Sequence, residues 1–545
     1  MTVGVYVMNK KQLSKLGAAI AVATLMTACG GGSSGSGGES SSGSGGGGSS
    51  ESNTGETGTT VTETGNSFVV FPAAGSSSPV VAIRSYNVSA QAEAFVEYLY
   101  KTDGTASGTV KIVDDNNNGF EVGRFGSGYM AELDGTFYFA GKDSNGDVEL
   151  WATDGTGAGT ERVADIYPNG NGQPHNMVPA TGKLFMNAVV DDASGVGREL
   201  VVFDPASGAV EALTSTIDGN PTSNTAPESL TPVDGGLFFF DQDAGDVYFT
   251  DGTAAGTAKI ATNNDTITGG SLTKYPQLIN DDDWLGYNGK LLFTGRFNAT
   301  DAETRLYELD QDGNIEEVAF DDGGSTVRLN ITQNVVISND KVYFVADKGT
   351  SSTDLNIFEY DGSTVTNLTA SEANKPYDED LVGTSLGVFM YVEQAGLTPY
   401  LLRIDNTSGT AEIDPAVRST GDYSFSDVQA WSMVEVNGTV FFAADTEGSG
   451  GSDFGTELWK TDGTSQGTEM VKDINDTAAG AGSEPYPLTF MYQVAPAVNG
   501  DLGSKYLFVA NDGSSGLEPW VSDGSEEGTV ILKDISAGSG SSVID

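Results

Sequence analysis

Carboxylates are the main chemical resource of this chain. Its 545 residues hold 76 Asp and Glu against 26 Lys and Arg, a formal net charge of −50, with a single histidine, His175, and a single cysteine, Cys29. A multi-histidine metal site, a Ser-His-Asp triad or disulfide chemistry therefore has almost no material to work with. Two segments carry the spacing of a cation loop: Asp114, Asn116 and Asn118 ahead of Gly119, and Asp143, Asn145 and Asp147. Alternating oxygen side chains followed by glycine open a calcium loop, because this hard cation takes six to eight oxygen ligands in flexible geometry. Calcium at these six residues is one expectation, and a solvated acidic hairpin tip is the other. The twelfth position of the first segment is Phe125 rather than Glu, so the helix–loop–helix calcium pattern fails there.

His175 sits in a polar stretch, NGNGQPHNM, and reads as a hydrogen-bonding surface residue rather than a catalyst. No GxxxxGK[ST] or HExxH segment occurs. No catalytic residue is assigned, because carboxylate pairs are too abundant for nearness in sequence to single one out. The negative field repels phosphate backbones and argues against nucleic acid as a partner.

The elements that must position these residues are strands. From about Ser67 onward, short apolar runs alternate with Gly, Asp, Asn and Thr clusters, and helical periodicity is nearly absent. The runs repeat. ELWATDGTGAGTERVADI from Glu149 matches ELWKTDGTSQGTEMVKDI from Glu457. EPWVSDGSEEGTVILKDI from Glu518, LYKTDGTASGTVKIV from Leu99 and DVYFTDGTAAGTAKIAT from Asp246 are close copies. Divergent copies begin at Glu199, Arg305, Asn356 and Tyr400. A turn aspartate recurs nine times, at Asp103, Asp154, Asp204, Asp251, Asp310, Asp361, Asp405, Asp462 and Asp523, with gaps of 44 to 61 residues. Most units carry an upstream apolar strand such as GTFYFAG (135–141), GGLFFFD (235–241) or GTVFFAA (438–444).

One unit thus supplies three to four antiparallel strands in about 50 residues, too small a sheet to bury both of its faces alone. Packing such sheets radially buries both. The expected fold is an all-β β-propeller of eight blades, with seven to nine allowed, each a three- to four-stranded antiparallel sheet. The irregular stretch before Asp103 either makes a ninth blade or closes the ring. The aspartates Asp103, Asp154, Asp251, Asp462 and Asp523 read as structural turn residues, accepting amides two positions on while glycine takes a positive φ. Trp151, Trp459 and Trp520 read as blade-packing residues.

These repeats resemble the ELWxxDGT repeat family, found in tandem in large exported bacterial proteins. The resemblance covers roughly residues 97 to 540 and is strongest in the copies at Glu149, Glu457 and Glu518. It brings no established activity.

The N-terminus has the layout of an export signal. Lys10, Lys11 and Lys15 precede an apolar stretch from Leu16 to Leu25, and Met26-Thr27-Ala28-Cys29 follows. That stretch is too short to span a bilayer as a helix. The last four residues resemble the lipobox of bacterial lipoproteins. The resemblance implies cleavage before Cys29, a diacylglycerol thioether on Cys29 and an acylated new N-terminus, palmitate among the chains. Gly30, rather than Asp, after the cysteine implies outer-membrane sorting, with the periplasmic or surface face left open. Residues 30 to 65 are almost all Gly, Ser, Thr and Glu, a flexible tether with a root-mean-square span of roughly 30–35 Å.

The expected organisation is a signal peptide (1–28), a lipidated cysteine plus tether (29–65) and a repeat domain (66–545). The expected function is a membrane-anchored binding or interaction module for a glycan, a surface polymer or an envelope protein. The alternatives are a carboxylate-based hydrolase or lyase acting on extracellular polysaccharide and a structural coat protein.

Overall fold

The computed structural model describes residues 63 to 539. It is interrupted at 72–79, 88–94, 215–226, 272–283, 296–302, 349–354, 370–380, 393–399, 415–422 and 488–504, and at several gaps of one to four residues. Cys29 and the tether up to residue 62 lie outside the described residues.

Strands and short turns make up the described chain, with no helix among the described residues. Nine successive four-stranded antiparallel meanders occupy residues 63–111, 130–164, 175–212, 227–261, 285–317, 330–367, 381–414, 423–472 and 486–531. They are blades 1 to 9 of a β-propeller. The repeat count favours eight; the structure has nine, because the irregular first stretch supplies three strands, Glu63–Phe71, Val80–Asn87 and Phe95–Lys101, closed by Val110–Lys111. The first two blades merge into one nine-stranded sheet through Glu121–Val122, which pairs with strands of both.

Cross-strand register explains the aromatic of the repeat. In blades 2, 8 and 9, Trp151, Trp459 and Trp520 stand directly opposite Phe139, Phe442 and Phe508 of the second strand. The same rung is Phe239–Tyr248 in blade 4, Phe293–Tyr307 in blade 5 and Phe344–Phe358 in blade 6. Facing aromatics on one sheet surface add to the burial energy of each ring, about 1.5–3 kcal/mol for a side chain of this size. All residues of Gly236–Asp241 are buried, as expected for a strand covered on both faces.

Eight apolar clusters join neighbouring blades around the ring. Leu99, Leu150 and Met186 belong to one that runs through blades 1, 2 and 3. Further clusters join 3 to 4, 4 to 5, 5 to 6, 6 to 7, 7 to 8 and 8 to 9. The last joins Leu507, Val509, Val521 and Leu532 of the blade 9 region to Tyr100 of blade 1, which closes the circle. First strands of adjacent blades touch, as Met130–Leu133 does His175–Ala180 and Asn330–Ser338 does Leu381–Thr384, so they lie nearest the hub. Fourth strands form the rim, where Val110, Val210 and Val530 are exposed.

Antiparallel order gives the ring two different faces. First-to-second and third-to-fourth connections emerge on one, the turn face. Second-to-third loops and the links between blades emerge on the other, the link face.

Candidate functional site

On the turn face, all nine repeat aspartates do the same thing. Each accepts the backbone amide two residues on, from Thr105 N to Asp103 Oδ1 at 2.9 Å through Ser525 N to Asp523 Oδ1 at 2.9 Å. In the full copies the next hydroxyl also donates to that oxygen, as Thr156 Oγ1 does to Asp154 at 2.7 Å. This hydroxyl holds the carboxyls of Asp103, Asp154, Asp462 and Asp523 below their usual range. The threonines flanking the turn then pair: Thr102 with Thr109, Thr153 with Thr160, Thr250 with Thr257, Thr461 with Thr468, and Ser522 with Thr529, each at 2.7 Å and buried. The five-residue spacing from aspartate to the second glycine is steric. A Cβ on Gly159 or Gly467 would sit 2.1 Å from the carboxylate of Asp154 or Asp462.

Cationic side chains stitch this face together. Lys183 donates to the Gly252 carbonyl at 2.8 Å, Arg403 to Gly463 at 3.1 Å and Lys460 to Gly524 at 2.7 Å, each reaching from one blade into the turn of the next. Blades 5 to 7, which lack the hydroxyl pair, use phenols instead. Tyr360 donates to Glu308 of blade 5 at 2.7 Å, and Asn406 donates to the Tyr343 hydroxyl of blade 6 at 2.9 Å.

The link face is anchored by the glutamate that opens the repeat motif. Glu149 is fully buried and accepts the amides of Ile166 at 2.6 Å and Gly172 at 2.8 Å in the link to blade 3. Glu457, also fully buried, accepts the amides of Ile474 at 2.9 Å and Ser483 at 3.0 Å and the Ser483 hydroxyl at 2.6 Å. Burial pushes the Glu149 carboxyl up and that of Glu457 up to about 7, against the pull of these donors. Sequence reasoning passed over this residue. Its signal was present: Glu recurs at 149, 199, 457 and 518, always two places before the aromatic position.

The two acidic segments close on themselves. Asp114 Oδ1 accepts the amides of Asn116 and Asn118, both at 2.8 Å, and the Asn118 side chain donates to Oδ2 at 3.1 Å. Asp143 Oδ1 accepts Asn145 N at 2.8 Å and Asp147 N at 3.1 Å. Among the described residues no group of three or more His, Cys, Asp or Glu is gathered to hold a metal ion.

His175, in contrast, is part of a cluster. It opens the first strand of blade 3, and its Nδ1 lies 3.0 Å from the Gln173 carbonyl oxygen and 3.2 Å from Arg198 Nη1. Arg198 Nη2 donates to Gln173 Oε1 at 2.7 Å. Burial pushes His175 down, which keeps the ring neutral at neutral pH and able to accept from the guanidinium. Arg198 is half-buried on the third strand of the same blade, at its link-face end. Asn187 lies opposite His175 in the register, and its Nδ2 donates to the Pro227 carbonyl of blade 4 at 3.2 Å.

No protein-family model matches the chain, and no curated protein matches it. Solved structures do resemble it in outline. The β-propeller domain of the Trilobed protease from Pyrococcus furiosus is 10% identical with a TM-score of 0.30, over 72% of this chain and 93% of that one. Porphyromonas gingivalis dipeptidyl peptidase 4 is 9% identical with a TM-score of 0.38, over 68% of this chain and 56% of that one. Pyrococcus horikoshii acylaminoacyl peptidase is 10% identical with a TM-score of 0.31, over 66% of this chain and 52% of that one. The match thus spans about half the length of these two peptidases.

Proposed function

We propose that this chain is an exported lipoprotein of the ELWxxDGT repeat type, held to the outer membrane by lipid on Cys29, whose propeller is a binding module for a glycan or another envelope polymer. The observation that carries the binding reading is a regular scaffold, fixed by a repeated turn, that holds link-face loops of unequal length. On the turn face, nine aspartates make one hydrogen bond nine times, and five copies share the buried hydroxyl pair. On the link face the copies differ. Second-to-third connections run from two residues at 193–194 to nine at 296–304. Loops that differ from copy to copy on a rigid repeated scaffold are the arrangement by which recognition is carried.

The test uses the full lipidated chain. Incubated with glycan arrays and with envelope extracts, it is expected to retain a glycan or an envelope polymer, and recovery of neither removes the binding reading. Anchoring is tested separately: metabolic labelling with a clickable palmitate should tag the wild type and leave Cys29→Ser unlabelled. An equally labelled serine variant removes the lipoprotein reading.

A further inference from the structure

Two of the links between blades are built to one plan. In the link from blade 2 to blade 3, Gln173 has φ 45° and precedes Pro174. In the link from blade 8 to blade 9, residues 473–485, Glu484 has φ 47° and precedes Pro485. Each follows a residue that donates its amide to the buried repeat glutamate, Gly172 to Glu149 and Ser483 to Glu457. Sterics push a residue before proline toward extended backbone, so both links hold the same strained corner at the same place. The corner side chain is neutral in one link and acidic in the other.

The link from blade 8 to blade 9 is held from both sides. Glu457 accepts the amides of Ile474 at 2.9 Å and Asn475 at 3.3 Å in addition to its two bonds from Ser483. The Ser483 carbonyl accepts the Asn511 amide of blade 9 at 2.9 Å, and the Asn475 side chain donates to the Gly482 carbonyl at 3.0 Å, tying the two ends of the link together. The groups that face it are acidic. Burial raises the Glu457 carboxyl, and the charge of Asp473 adds to that. Asp473 is raised in turn by burial and by Asp476, and its Oδ1 is buried without a partner. Desolvation raises Glu484, with Asp445 and Asp427 adding to it, and these two aspartates are direct register partners on the first two strands of blade 8. The Asp453 carbonyl accepts the Gly480 amide of the link at 2.7 Å. Asp512 of blade 9 is engaged by the amides of Ser514 and Ser515. Lys472, next to the start of the link, donates to the Thr529 carbonyl of blade 9 at 2.8 Å.

We propose that residues 473–485 form a proton-operated clasp, docked between blades 8 and 9 while Glu457 and Glu484 hold protons and released as both ionise. The charges set the sign. Protonated, Glu457 still accepts from the link, and Glu484 adds nothing to the repulsion between Asp427 and Asp445, a like-charged cross-strand pair that is already unfavourable. Ionised, the two glutamates add two negative charges beside Asp427, Asp445, Asp473 and Asp476, and like charges repel most where water screens least. A group whose folded pKa is raised contributes stability that is complete below its unfolded value and lost as pH rises through the folded one. Release returns these carboxylates to water and loosens blade 8 from blade 9 on the link face, so the presentation of the loops there follows ambient pH. The link from blade 2 to blade 3 has Gln173 where this one has Glu484, and it lacks the second ionisable group.

Hydrogen exchange of the full chain, resolved by peptide and corrected for the intrinsic rate at each pH, tests this between roughly pH 5.5 and 8.5. As pH rises, protection of the peptide spanning residues 473–486 should fall at least about tenfold more than that of the peptide spanning residues 165–175, the effect of one pKa unit of extra linkage. Glu484→Gln, which copies the residue at 173, should keep most of the protection at the upper pH. Glu457→Gln should leave the protection of the clasp nearly independent of pH. Equal loss in the two links, as global unfolding would give, overturns the clasp, and so does a pH profile that Glu484→Gln leaves unchanged. Glu484→Gln carries the test even where Glu457→Gln fails to fold, because it reproduces a corner that the chain already builds at Gln173.

Discussion

Glu457 in the third strand of blade 8 and Ser483 in the link to blade 9 share two hydrogen bonds, Ser483 N to Oε1 at 3.0 Å and Ser483 Oγ to Oε2 at 2.6 Å. One buried carboxylate thereby fixes where the chain leaves a blade and where it enters the next. Because burial raises the Glu457 pKa to about 7, its protonated form is favoured in the folded state. The associated stabilisation is complete below the ordinary carboxyl pKa of 4.5 and is lost as pH rises through 7. Glu457→Gln, which keeps size and an acceptor, should flatten urea-measured stability between pH 4.5 and 7.5 relative to wild type by roughly 3 kcal/mol. A wild-type and a variant profile of equal slope would refute this.

Turn-face glycines divide into two kinds. A Cβ on Gly467 meets the Asp462 carboxylate, whereas one on Gly208, with φ 70°, meets nothing within 4 Å. Gly208→Ala should therefore cost about 1 kcal/mol, the backbone penalty alone. Gly467→Ala should cost about 2–3 kcal/mol, because its Cβ expels a carboxylate from its amide. Thermal melting of both variants, and of Gly467→Ala combined with Asp462→Ala, checks the cause: the double variant should lose less than the sum of the singles.

Among the described residues, apolar side chains of blades 9 and 1 meet where the ring closes. Leu507, Val509 and Val521 meet Tyr100, and Lys533 lies over the Tyr100 ring at 5.8 Å. Leu507→Ala should destabilise by about 2–5 kcal/mol and should raise amide exchange in blades 1 and 9 before blade 5. Uniform acceleration around the ring would show instead that closure is as firm as any other boundary.

The first aspartate of each acidic segment is engaged by two amides of its own turn. We propose that calcium raises the melting temperature beyond magnesium and sodium chloride of matched ionic strength, whereas coincident curves would leave only screening. A further rise in calcium alone would make Asp114, Asn116, Asn118, Asp143, Asn145 and Asp147 ligands after all.

The strands were legible because their cues are local. An apolar run such as GGLFFFD between turn residues specifies a buried strand, and the spacing of the turn aspartates specifies the unit. Blade 1 was left open, as a ninth blade or a closure of the ring, because SFVVFPAAGSSSPVVAIRSYNV has neither the upstream apolar signature nor an even period; its strands are defined by pairing such as Val81 with Tyr100. The cluster around His175 was hidden for a different reason. Gln173 and Arg198 are 25 residues apart in sequence, and only the folding of blade 3 brings them together.

Each blade is built from one uninterrupted stretch of chain, and every boundary except the last joins consecutive stretches. The order of assembly follows from that. A chain emerging N-terminus first can complete each sheet against its predecessor, with partners close in sequence and little entropy lost to long loops. The contacts of Tyr100 with Leu507, Val521 and Lys533 span some 400 residues. Until the final repeat arrives, the growing arc exposes one sticky sheet at each end, both of which the finished circle hides. Truncation at any blade boundary therefore leaves two apolar flanks that can recruit a second copy.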